Sequence, residues 1–156
     1  MINKLKTAKT AYDDGYYFRF PEQQVAHITL KVSVGDQALE AGDIRLTKID
    51  PTTLKKIEDN DSLFFRFGFY DYMRLNLDDM VAKYTKDTWY QLDFLFDWED
   101  QKIALYINEK WNATQKFFND DETISGANAI FLYNLVPETS MKVRELQVCS
   151  TTCAGS

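Results

Sequence analysis

Trp89-Tyr90-Gln91-Leu92-Asp93-Phe94-Leu95-Phe96-Asp97-Trp98 alternates apolar and polar side chains: Leu92, Phe94 and Phe96 point one way, and Gln91, Asp93 and Asp97 the other. A period of two is the mark of a strand with one buried face. The polar Glu99-Asp100-Gln101 then turns the chain into Ile103, Leu105 and Ile107, which alternate in the same way, so the two runs form a hairpin.

The pattern extends in both directions. Upstream, Ala26, Ile28, Leu30, Val32 and Val34 share a face opposite His27, Thr29, Lys31 and Ser33, and Tyr16, Phe18 and Phe20 alternate until Pro21. Leu63, Phe65, Phe67 and Phe69 form another run, continued by Met73, Leu75 and Leu77 after a break at Tyr70-Asp71-Tyr72, which reads as a further hairpin. Downstream, 130–136 and 141–148 are strand-like. The apolar phase changes from Met141 and Val143 to Leu146 and Val148, which predicts a bulge near Arg144-Glu145. The one helical signal is 51–59, where Asp50 caps, Pro51 suits a first helical position, and Leu54 pairs with Ile57. Short strands without intervening amphipathic helices predict an all-β, two-sheet antiparallel β-sandwich with at most one or two short helical turns.

A chain of 156 residues suits one domain and one core. Its aromatic share of 15% favours pleated strands. The net charge of −6 sets nucleic acid aside, because that affinity needs cations along the phosphates. The basic cluster Lys4, Lys6 and Lys9 reads as part of a flexible lead-in over 1–15. Membrane insertion is not expected within this segment, because its longest apolar stretch, 63–73, is interrupted by Arg66 and Asp71. The opening residues lack the apolar core of a signal peptide, so a secreted parent would carry its targeting segment upstream.

With these strands in place, the hairpin from Trp89 to Asn108 resembles the central hairpin of concanavalin A-like lectin/glucanase domains, including the laminin G-like group. There too a tryptophan opens a strand, an acidic turn follows, and the return strand resembles Ile103-Ala104-Leu105-Tyr106-Ile107-Asn108. Tyr17-Phe18-Arg19-Phe20 resembles an early strand, and 143–148 the last strand, returning beside the first. Glu109 stands where such hairpins often carry glycine. The resemblance implies a jelly roll over 16–148, a fold shared by lectins, glycosidases and adhesion modules. After it, Cys149-Ser-Thr-Thr-Cys153 is similar to the opening of a furin-like or growth-factor-receptor-type cysteine-rich region, assigned to 149–156.

A C-x3-C pair without further ligands nearby is a poor zinc site. Disulfide use is the expectation for Cys149 and Cys153, either with each other or with cysteines further along the parent chain. Asn60-Asp61-Ser62 and Asn112-Ala113-Thr114 satisfy the glycosylation rule, which marks Asn60 and Asn112 as acceptors in a secreted protein. No metal site is assigned. Calcium is the one cofactor left open, through the acidic pairs Asp13-Asp14 and Asp78-Asp79 and the run Asp120-Asp121-Glu122.

Catalysis finds little support. Retaining glycosidases need two carboxyl groups about 5–5.5 Å apart, and the strand motif Glu-x-Asp-x-Glu that supplies them in glucanases of this fold is missing. Asp93 and Asp97, four residues apart on a strand, would stand about 13 Å apart. Asp97 and Glu99 flank a turn. His27 has no nucleophile beside it in sequence and reads as a sheet-face residue. For binding, aromatic rings in loops carry the most area: Trp111 with Phe117 and Phe118, then Tyr70 and Tyr72 at a hairpin end. Each ring has the alternative role of covering a core edge. The sequence thus predicts a non-catalytic recognition or structural module of a larger cell-surface or secreted protein, in contact with a protein or glycan and with adjoining domains of its parent. A carbohydrate-specific lectin and a divergent glycoside hydrolase are the alternatives.

Overall fold

The computed structural model describes residues 6–9, 15–35, 40–48, 63–76, 79–118, 126–133 and 141–153. They form β1 (Lys6–Lys9), β2 (Gly15–Gln23), β3 (His27–Val34), β4 (Glu40–Thr47), β5 (Leu63–Tyr70), β6 (Tyr72–Leu75), β7 (Asp79–Lys83), β8 (Tyr90–Asp97), β9 (Lys102–Ile107), β10 (Lys110–Lys116), β11 (Ala127–Tyr133) and β12 (Met141–Cys149). Among the described residues there is no helix. The helical signal at 51–59 lies outside them.

The strands make two antiparallel sheets in a jelly-roll sandwich. One has seven strands in the order β1-β2-β11-β4-β5-β6-β7, and the other five, β10-β9-β8-β3-β12. Alternation decides which side chains meet between them. Ile28, Leu30 and Val32 of β3, Leu92 and Phe94 of β8 and Ile103 and Leu105 of β9 are buried against Phe65, Phe67 and Phe69 of β5 and Ile44 and Leu46 of β4. Aromatic edges lock the two layers together: the Phe94 ring stands 4.5 Å from Phe65 and 5.1 Å from Phe67, in edge-to-face geometry. The sheets approach closely at Gly42, where a Cβ would fall 2.6 Å from the Met141 sulfur of β12. Any larger residue there would have to displace the Met141 thioether.

The predicted bulge lies between Arg144 and Gln147, and Glu145 within it adopts φ 57°. Three features depart from the sequence expectation. The last strand returns beside β3 rather than beside the early strand β2, because β1 and β11 already occupy both edges of β2. Within the stretch read as a flexible lead-in, Lys6–Lys9 forms a strand, pairing with Tyr16–Arg19. Lys110–Lys116, read as a polar loop around Trp111, is an edge strand. None of its side chains is fully buried, so neither of its faces calls for an apolar row.

Candidate functional site

The five-stranded sheet turns its polar positions outward. Register aligns them in rows across the face. Trp111 of β10 stands opposite Tyr106 of β9, Tyr106 opposite Asp93 of β8, and Asp93 opposite Thr29 of β3. The neighbouring row runs Thr114, Ala104, Leu95, His27 and Cys149. Directly opposed residues share a face. Trp111 therefore shares the outer surface with Tyr106, held by an Nε1–H bond to Thr114 Oγ1 at 3.0 Å while 62% of the residue remains exposed.

Beside this aromatic pair lies a shallow groove of about 360 Å³, lined by His27, Gln91, Asp93, Leu95, Tyr106, Glu109 and Thr152. Its rim is built by the β9–β10 hairpin. Asn108 and Glu109 both lie in the left-handed region, at φ 50° and 68°, as a two-residue turn between twisted strands requires. This turn forms without glycine. It is tied down by Asn108 Oδ1, which accepts the Gln91 N–H at 2.9 Å, and by the Asn108 N–H, which donates to the Gln91 carbonyl at 2.8 Å.

The polar groups of the groove are fixed in place. His27 is buried although it sits on the polar side of its strand. Its Nδ1 accepts the Cys153 N–H at 2.9 Å, so the network assigns the proton to Nε2, which donates to Asp93 Oδ1 at 2.7 Å. Asp93 Oδ2 accepts from the Gln91 amide at 3.2 Å. With both ring nitrogens of His27 engaged and both Asp93 oxygens accepting, the network fixes the orientation of the two side chains.

The far wall comes from the tail. Cys149 and Cys153 are joined by a disulfide that closes a loop of sequence separation 4 and carries Thr152 to the groove. Such a short loop restricts the unfolded chain only modestly. Reduction is expected to lower the unfolding free energy by about 2 kcal/mol, measured by urea unfolding with and without reductant. It should also speed hydrogen exchange at the Cys153 amide.

The aromatic candidates read from the sequence do not converge. Phe117 is a correction: it is 4% exposed and packs on Phe96 and Trp98 at 6.2 and 5.1 Å, so it belongs to the core. Phe118 is half-buried beside it, its N–H bonded to the Phe64 carbonyl. Tyr70 and Tyr72 face each other across the β5–β6 turn on the other sheet, and the Arg74 guanidinium lies 4.8 Å over the Tyr70 ring. Asn112 is half-buried, and its Nδ2, the atom that would carry a glycan, donates to the Val81 carbonyl at 3.1 Å. Asn60 lies outside the described residues, as do Asp13, Asp14, Asp78 and the run from Asp120 to Glu122. Among the described residues no three His, Cys, Asp or Glu side chains gather as a metal site. Of the aromatic candidates, Trp111 is the one paired in register with a groove-lining residue, Tyr106. Tyr106, Gln91, Asp93 and Glu109 were passed over because a polar strand face looks the same in sequence whether it meets water or a ligand.

The outer face of the seven-stranded sheet holds a different cluster. Asp43 and Arg45 are buried there, and Asp43 Oδ2 accepts from Arg45 and from Arg66, each at 2.9 Å. Among the described residues Asp43 Oδ1 has no partner. Burial therefore dominates and raises the carboxyl above its ordinary range, against the pull of Arg45 and Arg66.

No family model matches the sequence, and no curated protein matches it. Solved structures do share its shape. A sialidase superposes with a TM-score of 0.64 at 12% identity, over 94% of this chain and 15% of that one. This chain thus spans a small part of that protein. The galectin LEC-6 of Caenorhabditis elegans superposes with a TM-score of 0.57 at 12% identity, over 91% of this chain and 94% of the galectin. The carbohydrate recognition domain of Emp46p, in its potassium-bound form, gives 0.52 at 10% identity, over 96% and 87%. At these identities the likeness is one of fold: the chain is a two-sheet jelly roll.

Proposed function

We propose that this domain is a non-catalytic carbohydrate-binding module of a larger secreted or cell-surface protein, and that the outer face of its five-stranded sheet holds the sugar. The observation that carries this reading is the exposed Trp111, paired with the half-buried Tyr106 and set beside the hydrogen-bonded Gln91, Asp93 and His27. A pyranose offers an apolar face of C–H groups ringed by hydroxyls. An aromatic ring answers the first and fixed amides and carboxylates answer the second. The groups stand on strands rather than loops, so little order is lost on binding. That the galectin and the Emp46p domain are named for carbohydrate recognition agrees with the reading, without extending their sugars to this chain. The disulfide supports an oxidising compartment.

The test is a glycan array followed by calorimetry on the hits, with Trp111→Ala and Tyr106→Ala. Each variant is expected to keep the fold and to weaken binding about tenfold or more, a loss of about 1.4 kcal/mol. Absence of any glycan ligand, or affinity unchanged in both variants, would overturn the proposal. Turnover of a glycan hit, lost on changing Asp93, would establish the hydrolase alternative instead.

A further inference from the structure

Beyond Gln91 the outer face changes character. In register, Gln91 of β8 stands opposite Lys31 of β3, and Lys31 stands opposite Arg144 of β12. Like charges directly opposed in an antiparallel pair repel each other. One neighbour offsets this: Glu145, placed by the bulge, brings Oε2 to 2.8 Å from Lys31 Nζ, and that lysine holds the Glu145 carboxyl below its ordinary range. Lys142, exposed and two residues before Arg144, lies on the same face opposite Ser33. Among the described residues of these paired strands, Lys31, Arg144 and Lys142 thus stand with the Glu145 carboxylate at this end of the groove, on a chain whose net charge is −6.

The arginine is also aligned. Its guanidinium lies 4.1 Å over the ring of Trp89, which is 38% exposed and precedes β8. A guanidinium spread on an aromatic face keeps its N–H edges available for a planar anion. The opposite rim carries Glu109, and Asp93 lies in the floor between them. A ligand with one anionic group therefore meets repulsion toward Glu109 and attraction toward Arg144, which fixes its direction along the face.

Resting on the carbohydrate-binding reading, we infer that the groove selects acidic glycans, with a neutral ring against Trp111 and Tyr106 and the carboxylate or sulfate of a neighbouring sugar received by Lys31 and Arg144. Tyr106 and Lys31 are two strands and two residues apart, roughly 12 Å, within the span of a tetrasaccharide.

Calorimetry with three tetrasaccharides tests this: oligogalacturonate for the carboxylate, a κ-carrageenan tetrasaccharide, which carries sulfate and no carboxylate, for the sulfate, and cellotetraose as the neutral probe. At least one acidic probe is expected to bind about tenfold tighter than the neutral one at low salt, and whichever it is names the anion. The double variant Lys31→Gln/Arg144→Gln is expected to reduce that preference about tenfold. On the unaltered protein, raising the salt should weaken the acidic probe and leave the neutral one little changed. Neutral binding sensitive to Trp111→Ala, with no acidic preference, would overturn this inference alone. No binding of any probe or array glycan would remove the carbohydrate reading with it, and a preference that survives the double variant would overturn the assignment to Lys31 and Arg144.

Discussion

Phe94→Ala is expected to lower the unfolding free energy by about 3–5 kcal/mol, the largest loss from a single apolar side chain in this domain. Phe94 is fully buried at the middle of β8 and meets Phe65 and Phe67 of the facing sheet at 4.5 and 5.1 Å. Truncation removes its transfer free energy and leaves a cavity that the flanking strands cannot close, because each is pinned by a ladder on both sides. Phe94→Leu should recover more than half of the loss. Urea unfolding of the three proteins checks the order, and a loss under about 1 kcal/mol for the alanine variant would contradict the packing described here.

Asp43→Ala is the second large effect, at about 3–5 kcal/mol. It strips two guanidiniums of their shared carboxylate in a place where Arg45 is only 7% exposed. The pH dependence has a definite sign. Because burial raises the folded-state pKa above the ordinary 3.8, the native state binds this proton more tightly than the unfolded chain does. The titration therefore contributes stability that is complete below the unfolded value and is lost as the pH rises through the folded one. The stability difference between the unaltered protein and Asp43→Ala should accordingly widen as the pH falls from 7 toward 4. A difference that narrows instead would show that the two arginines, rather than burial, control the carboxyl.

These two residues also show how unevenly the fold is written in the sequence. Phe94 could be placed in the core by alternation alone, because its neighbours Leu92 and Phe96 share its face and Asp93 does not. Asp43 could not. In β4 the polar Asp43, Arg45 and Thr47 alternate with the apolar Ile44 and Leu46, a pattern that marks a strand but puts its polar face in water, whereas here that face is buried. Nor could the strand of Trp111 be read from alternation, because none of its side chains is fully buried and neither face carries an apolar row.

Local pattern by itself determined the two-sheet sandwich, the two hairpins and the bulge in the last strand, since each depends on which neighbours along the chain are apolar. Tertiary structure alone decided which strands lie side by side, that Phe117 turns inward, and that Trp111, Tyr106, Gln91, Asp93 and His27 come together with a tail more than 120 residues from that histidine along the chain. Strand order is set by the closure of two whole sheets around one core. No short stretch carries that information, because a period of two says which face a residue takes and nothing about which strand stands opposite.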